Sequence, residues 1–271
     1  MDEITSLQNQ RIKDAAKLRE ARERRKQGRM LIDGAREIRL AIEGRVELVE
    51  AFVCDSLCHS SDSQHLLEQL ATLPVRQLRV TPAVFEKLAF GDRAEGILAI
   101  AKTPNRTLTD LALPDNPLIA VLEGTEKPGN IGAVLRSADA AGVSALIVAD
   151  PRTDLFNPNT IRASLGTVFT MPVCCAAAAD AGDWLRAKWI KIFAARVEAE
   201  TLYAAADFTR PAAIVLGSEA EGLSSIWTGP NVMPIRLPML GHADSLNVSA
   251  TAAVLFYEAL RQRQCTHHAP S

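Results

Sequence analysis

The 271-residue sequence is poor in aromatic residues and in cysteine, and it has no long apolar run. Aromatics make up 5% of it, and the three tryptophans, Trp184, Trp189 and Trp227, are scattered. That scatter favours packing in a core or a dimer interface over base stacking. No apolar stretch approaches the ~20 residues that span a bilayer. The first thirty residues are charged and carry no apolar segment of a secretory signal. Five cysteines is an odd number, two of them adjacent (Cys174–Cys175), so no exported disulfide scaffold is indicated. The expected setting is the cytoplasm, with reduced thiols and no membrane. Cys54, Cys58 and His59 hint at metal spacing, but a structural zinc wants four ligands and no second pair follows, so no metal is expected. His267 and His268 read as incidental members of a polar tail.

What is present is ordinary globular material: 48% hydrophobic and 23% charged residues, enough for one large domain or two smaller ones. The net charge of −2 hides an uneven distribution. Between Gln10 and Arg29 nine basic residues face three acidic ones, leaving +6 in twenty residues. Such a stripe either neutralises nucleic-acid phosphates or forms a solvated helix face with pairs such as Glu20–Arg24. Asp14 to Lys26, free of Pro and Gly, reads as one helix, and Gly34 to Glu43 as a second. Strands are expected at Val46–Cys54, Val75–Val80 and Gly96–Ala101, with helix near His65–Ala71. This is a small α/β unit.

A linker-like composition follows. Domains are therefore expected at 1–103 and 117–271, joined by 104–116. In the second, strand Pro117–Glu123, helix Asn130–Ala141 and strand Ala145–Ala149 form a βαβ unit. Further strands are read at Trp189–Ala194, Ala212–Leu216 and Val232–Leu237, and a last helix from about Asn247 to Gln262.

Three polar loops lie where strands end. Glu123–Arg136 runs strand, Gly/Pro loop, helix, with Asn130 near the cap and Arg136 six residues on, on much the same helix side. An ordinary capped helix with a surface arginine has the same wording. Leu216-Gly-Ser-Glu-Ala-Glu-Gly222 matches neither the P-loop nor the dinucleotide fingerprint, which removes support for ATP or nicotinamide chemistry. Leu237–Ser249 places Ser245, Asn247 and Ser249 where the chain enters the last helix, as caps or as ligands of a polar molecule.

In order, spacing and wording, these three loops resemble the signature motifs of the SpoU family of RNA ribose 2′-O-methyltransferases, of the SPOUT class. The match runs from Asn130 through Arg136 to Gly142, over Leu216–Glu219 with Gly222, and from Pro238 through Ser245-Leu-Asn-Val-Ser249. The resemblance implies an α/β domain with a deep trefoil knot formed by about 212–262, a homodimer, and S-adenosyl-L-methionine as cofactor. It implies catalytic roles for Arg136, Asn130, Glu219, Ser245 and Asn247. It implies cofactor contacts at Leu216, Gly217, Ser218, Leu237, Met239, Ser245, Leu246 and Asn247. Arg136 would fix a phosphate or activate the hydroxyl, Asn130 and Asn247 would orient Arg136 and the ribose, and Glu219 would anchor a loop or partner Arg136. Lys127 reads as solvated or as a contact to RNA phosphate. The first domain is similar to the small RNA-binding domain of many members, with Asp33 where Glu is frequent and Arg93-Ala-Glu before Gly96 as departures. The basic stripe then becomes an RNA contact through Arg11, Lys13, Arg22, Arg25, Lys26 and Arg29. Ribosomal RNA is the expected substrate ahead of tRNA. The competing class is a non-catalytic RNA-binding assembly protein of the same fold.

Overall fold

Two sheets of different strand direction organise the chain. The computed structural model describes residues 3–90 and 95–266; Arg93 and Ala94 and the His267–His268 pair lie outside the described residues. The chain divides into two units, Met1–Pro104 with Phe156–Thr170, and Asn105–Leu155 with Met171–Ser271. The segment 156–170 lies inside the stretch that the sequence assigns to the second domain, yet it packs in the first unit.

In chain order the first unit holds β1 (Glu3–Ile4), α1 (Gln10–Lys17), α2 (Ala21–Gln27), β2 (Arg29–Asp33), α3 (Ala35–Glu43), β3 (Leu48–Val53), α4 (Ser61–Ala71), β4 (Arg76–Val80), α5 (Pro82–Leu88) and β5 (Ile97–Lys102). The strand order is β1-β4-β3-β5-β2, parallel among β1, β4 and β3 and antiparallel at β5. Ile12, Leu18, Phe52, Phe85, Leu88 and Leu98 are members of its buried core.

The single helix expected over 14–26 is two. Leu18 is fully buried where the chain turns between α1 and α2. The buried Arg24 guanidinium donates to the carbonyls of Leu18 (2.8 Å) and Arg19 (2.7 Å), which α1 leaves unpaired as it ends. One member of the basic stripe is thus a structural cap. β1, β2 and α5 were not anticipated: β2 is a five-residue run against a charged helix, and α5 opens on Pro82, whose fixed φ suits a first helical turn.

The second unit holds β6 (Leu118–Glu123), α6 (Pro128–Ala140) and β7 (Ala145–Ala149). Next in the chain come α7 (Pro158–Ala163) and α8 (Thr167–Thr170), which belong to the first unit. The second unit resumes with β8 (Val173–Ala176), α9 (Ala178–Ala187), β9 (Lys191–Ala195), β10 (Ala212–Leu216), β11 (Val232–Ile235) and α10 (Val248–Thr266). Its six strands are all parallel, in the order β11-β9-β10-β6-β7-β8. β6, β7 and β10 are buried along their whole length, as strands covered on both faces must be. Helix α9 packs on β7 and β9, whereas α6 and α10 pack together. Trp227 is a core residue and Trp184 packs against that core, but Trp189 is 90% exposed.

In the first unit α3 lies against α8, and the approach is close. A Cβ at Gly44, after α3, would meet the Phe169 carbonyl oxygen at 2.3 Å. Only glycine fits there. No helix among the described residues is long and apolar enough to cross a membrane.

Candidate active site

In the parallel sheet the chain runs outward from β6 through β7 and β8, then returns to build β9, β10 and β11 on the other side. The strand order therefore reverses between β6 and β10. Open α/β sheets bind ligands outside the carboxyl ends at such a point, because the loops there diverge and leave a crevice. Here the carboxyl ends of β9, β10 and β11, with the start of α10, enclose a cavity of about 440 Å³. Leu216, Gly217, Ser218, Leu237, Met239, Ser245 and Leu246 all line it. Asn247, also expected to hold the cofactor, is not among the lining residues.

Gly217 makes this cavity possible. A Cβ there would sit 2.3 Å from the carbonyl of Gly222 and 2.6 Å from the Leu223 nitrogen. The loop closes that tightly because the Gly222 amide donates to the Ser218 carbonyl (3.0 Å) and the Glu221 amide to Ser218 Oγ (3.1 Å).

Beside the cavity the three loops meet through side chains. Glu219 Oε1 accepts from Asn130 Nδ2 (3.0 Å) and from Asn247 Nδ2 (2.7 Å), and its Oε2 accepts from Lys127 Nζ. Asn247 Nδ2 also reaches Asn130 Oδ1 at 3.3 Å. Asn247 Oδ1 accepts from the Ser249 amide and hydroxyl, so this residue caps α10 as well as joining the cluster. The Lys127 hydrogen bond, supported by those from Asn130 and Asn247, holds the Glu219 carboxyl below its ordinary pKa, and Lys127 is raised in turn. A second small crevice, lined by Thr125, Lys127, Asn130, Ser218 and Glu219 among others, adjoins this cluster.

A sequence model described as the SpoU rRNA Methylase family matches residues 117–257, and one described as an MRM3-like substrate binding domain matches 9–99. The chain belongs to the SpoU rRNA methylase family. The 23S rRNA (guanosine-2′-O-)-methyltransferase RlmB of Xylella fastidiosa is 32% identical to this SpoU chain, over 82% of it and 94% of the relative. The crystal structure of an RNA 2′-O ribose methyltransferase is similar with 43% identity and a TM-score of 0.85, covering 97% of this chain and 99% of that one. The SpoU methyltransferase AviRb of Streptomyces viridochromogenes, solved in complex with AdoMet, is 27% identical with a TM-score of 0.85, over 95% and 99% of the two chains.

The SpoU motif residues fall as follows. Asn130, Glu219 and Asn247 come together, and Ser245 lies on the cavity wall. Arg136 is exposed on α6 and makes no hydrogen bond or ion pair among the described residues. Glu219 is paired with Lys127 instead of Arg136, so Lys127 is not simply solvated. In the first unit Arg22, Arg25 and Lys26 are exposed on α2 and Arg29 opens β2, whereas Arg11 on α1 pairs with Glu50 and Lys13 is half-buried. Cys54 and Cys58 are buried thiols; Cys58 Sγ donates to the Cys54 carbonyl (3.3 Å), and burial pushes its pKa up to about 11. No cluster of three or more His, Cys, Asp or Glu placed to hold a metal occurs among the described residues.

Sequence reasoning missed the residues that brace the cavity. Glu123, buried at the end of β6, accepts from the Ser224 amide (2.8 Å) and hydroxyl (2.6 Å). Arg196, just past β9, donates to the carbonyls of Leu223 (3.2 Å) and Ser224 (2.8 Å). Arg152 joins Glu126, after β6, to Glu221, after β10. The available signal was position: each lies at or just past the carboxyl end of a strand.

Proposed function

We propose that this chain transfers a methyl group from S-adenosyl-L-methionine to a ribose 2′-hydroxyl of ribosomal RNA, 23S rRNA first, as a homodimer. The observation that carries this is the meeting of Asn130, Glu219 and Asn247, one from each motif loop, beside a cavity walled by seven of the eight residues expected to hold the cofactor. The cavity suits that cofactor: its volume lies within the roughly 300–1,000 Å³ of small-molecule sites. Leu216, Leu223, Ile235 and Leu237 give an apolar surface for an adenine, and Glu198, Arg236 and Asp244 give polar ones. Gly217, with no room for a side chain, leaves backbone groups to do the recognising. When bound, the cofactor supplies an electrophilic methyl on a sulfonium.

The residues supply placement. A 2′-hydroxyl is a weak nucleophile that must be aligned with the methyl carbon and sulfur, and alignment alone contributes up to ~7–11 kcal/mol. Arg136, without a partner among the described residues, fixes the phosphate next to the acceptor; a guanidinium offers a rigid fork of N–H donors and no acceptor, which suits that role better than proton abstraction. Asn130 and Asn247, held by Glu219, orient the ribose, and Ser245 lines the acceptor side of the cavity. Arg22, Arg25, Lys26 and Arg29 bind RNA backbone without reading bases. Exposed Val254 and Tyr257 on α10 support the dimer, since apolar side chains at this spacing share a helix face. The trefoil knot at about 212–262 and the domain limits 1–103 and 117–271 belong to the same proposal.

The test is methyl transfer from labelled S-adenosyl-L-methionine to unmodified rRNA and tRNA, with wild type and Arg136→Ala, followed by nuclease digestion. Ribose label on rRNA, lost at least about 100-fold in the variant with cofactor binding intact, is the expected result. Label on tRNA alone would move the substrate. Absence of both label and cofactor binding would leave a non-catalytic RNA-binding protein.

A further inference from the structure

Glu219 is the sink of a directed chain of hydrogen bonds. Ser249 donates to Asn247, Asn247 donates to Asn130 and to Glu219, and Asn130 donates to Glu219. The chain keeps this direction only while Glu219 is an acceptor on both oxygens, because a protonated carboxyl would turn one oxygen into a donor. Amides held in one orientation present fixed donors to a ligand; amides free to flip do not. Among the described residues the only cation paired with Glu219 is Lys127, whose ammonium engages the oxygen that the amides leave free. Its own position is set by the fold: it precedes Pro128, the first residue of α6, so its backbone is anchored where the helix starts.

Resting on the proposed methyl transfer, we propose that Lys127 is a positioning residue for that reaction. Its ion pair with Glu219 fixes the orientation of Asn130 and Asn247 and ties the loop after β6 to the loop after β10. The pair is 70% exposed on the lysine side, so its value to global stability is small and its effect is local. The other charged groups around Glu219 are Glu126 and Glu221, both paired with Arg152, and Glu198, Arg196, Arg236 and Asp244 on the cavity. The start of α10 brings only Asn247, Val248 and Ser249. None of these supplies a second cation to the Glu219 carboxylate.

The experiment compares wild type, Lys127→Met and Lys127→Arg. Single-turnover methyl transfer is measured against pH, cofactor affinity by calorimetry, and the side-chain amide signals of Asn130 and Asn247 by NMR titration. Lys127→Met is expected to slow transfer about tenfold and to move the acid limb of the profile upward. The amide signals are to titrate with a correspondingly higher midpoint, cofactor affinity is to stay within about twofold, and Lys127→Arg is to restore all three. An unmoved midpoint in Lys127→Met overturns the proposal. So does an arginine variant no better than the methionine one. Weaker RNA binding with a shallower salt dependence and an unmoved midpoint would make Lys127 a phosphate contact instead. The amide titration reads the Lys127–Glu219 link whether or not the wild type transfers methyl, so a failure of the enzymatic reading is told apart from a failure of this one.

Discussion

The two units spend their polar groups differently. In the first, polar side chains patch irregular backbone: the buried Arg24 satisfies the carbonyls at the end of α1, and the half-buried Glu95 accepts from the Ala35 amide that opens α3. The basic residues left over, Arg22, Arg25 and Lys26 on α2 and Arg29 at the start of β2, point outward. In the second, the strands bury no charge until their carboxyl ends, where Glu123, Lys127, Arg152, Arg196 and Glu219 all serve to join loops. A parallel sheet covered on both faces leaves its polar work to one rim, and the cavity is found on that rim. A mixed sheet with short helices distributes the same work around its edges. A basic residue in the first unit must therefore be judged by where it points, whereas a polar residue in the second is judged by which strand it follows.

Two glycine substitutions separate the roles of the two units most strongly. Gly217→Ala forces a Cβ into the Gly222 carbonyl, and cofactor affinity by calorimetry is expected to fall at least about 100-fold with a small change in melting temperature. Gly44→Ala, pressed against the Phe169 carbonyl, should instead lower the melting temperature by several degrees and leave cofactor binding in place. Loss of cofactor binding in both would contradict separate roles. Next in size, Arg24→Ala strands two carbonyls and is expected to cost about 1–3 kcal/mol in urea unfolding.

The Asp33 carboxyl gives a pH test. Burial, with Glu37 and Glu95 adding to it, pushes its pKa up to about 6 against an opposing hydrogen bond from the Phe90 amide and the charge of Arg162. An acid with a raised folded pKa is carried without penalty below its unfolded value near 4. The penalty grows as pH rises through 4 to 6 and is complete above that. Wild type should therefore lose about 2 kcal/mol of stability across this window, and Asp33→Asn should flatten the slope, as read by urea unfolding at pH 4.5 and 7.5. The smallest effect belongs to Arg25→Ala, on the exposed face of α2. It should change stability by less than about 0.5 kcal/mol and weaken RNA binding a few-fold, with a salt dependence reduced by about one ion.

The sequence was most legible where periodicity and position act together. The strands β6 and β10 are apolar runs that end in Gly-containing loops, so their ends could be read, and with them Asn130 and Glu219. It was least legible where a side chain acts at a distance. Nothing local in Asp14–Lys26 announces that Arg24 folds back to end α1, because the break depends on burying Leu18. Lys127 looked solvated because its partner is 92 residues away. Glu123 and Ser224, 101 residues apart, share the same difficulty. The seven expected residues that line the cavity were reached through a family pattern of words; apolar or backbone-reading positions such as Leu237 and Gly217 carry little chemistry of their own.

The detour of residues 156–170 bears on the order in which the molecule can be made. A chain emerging from the ribosome has all five strands of the first sheet by Lys102, but it lacks Phe156–Thr170 until some seventy residues later. In that interval β6, α6 and β7 of the other sheet are already synthesised, so the second fold begins before the first is complete. The gene's halves and the protein's halves do not coincide. Expressing residues 1–104 alone would yield a sheet with an uncovered Gly44 flank, and a cut at the 104–116 stretch would separate two polypeptides without separating two folds.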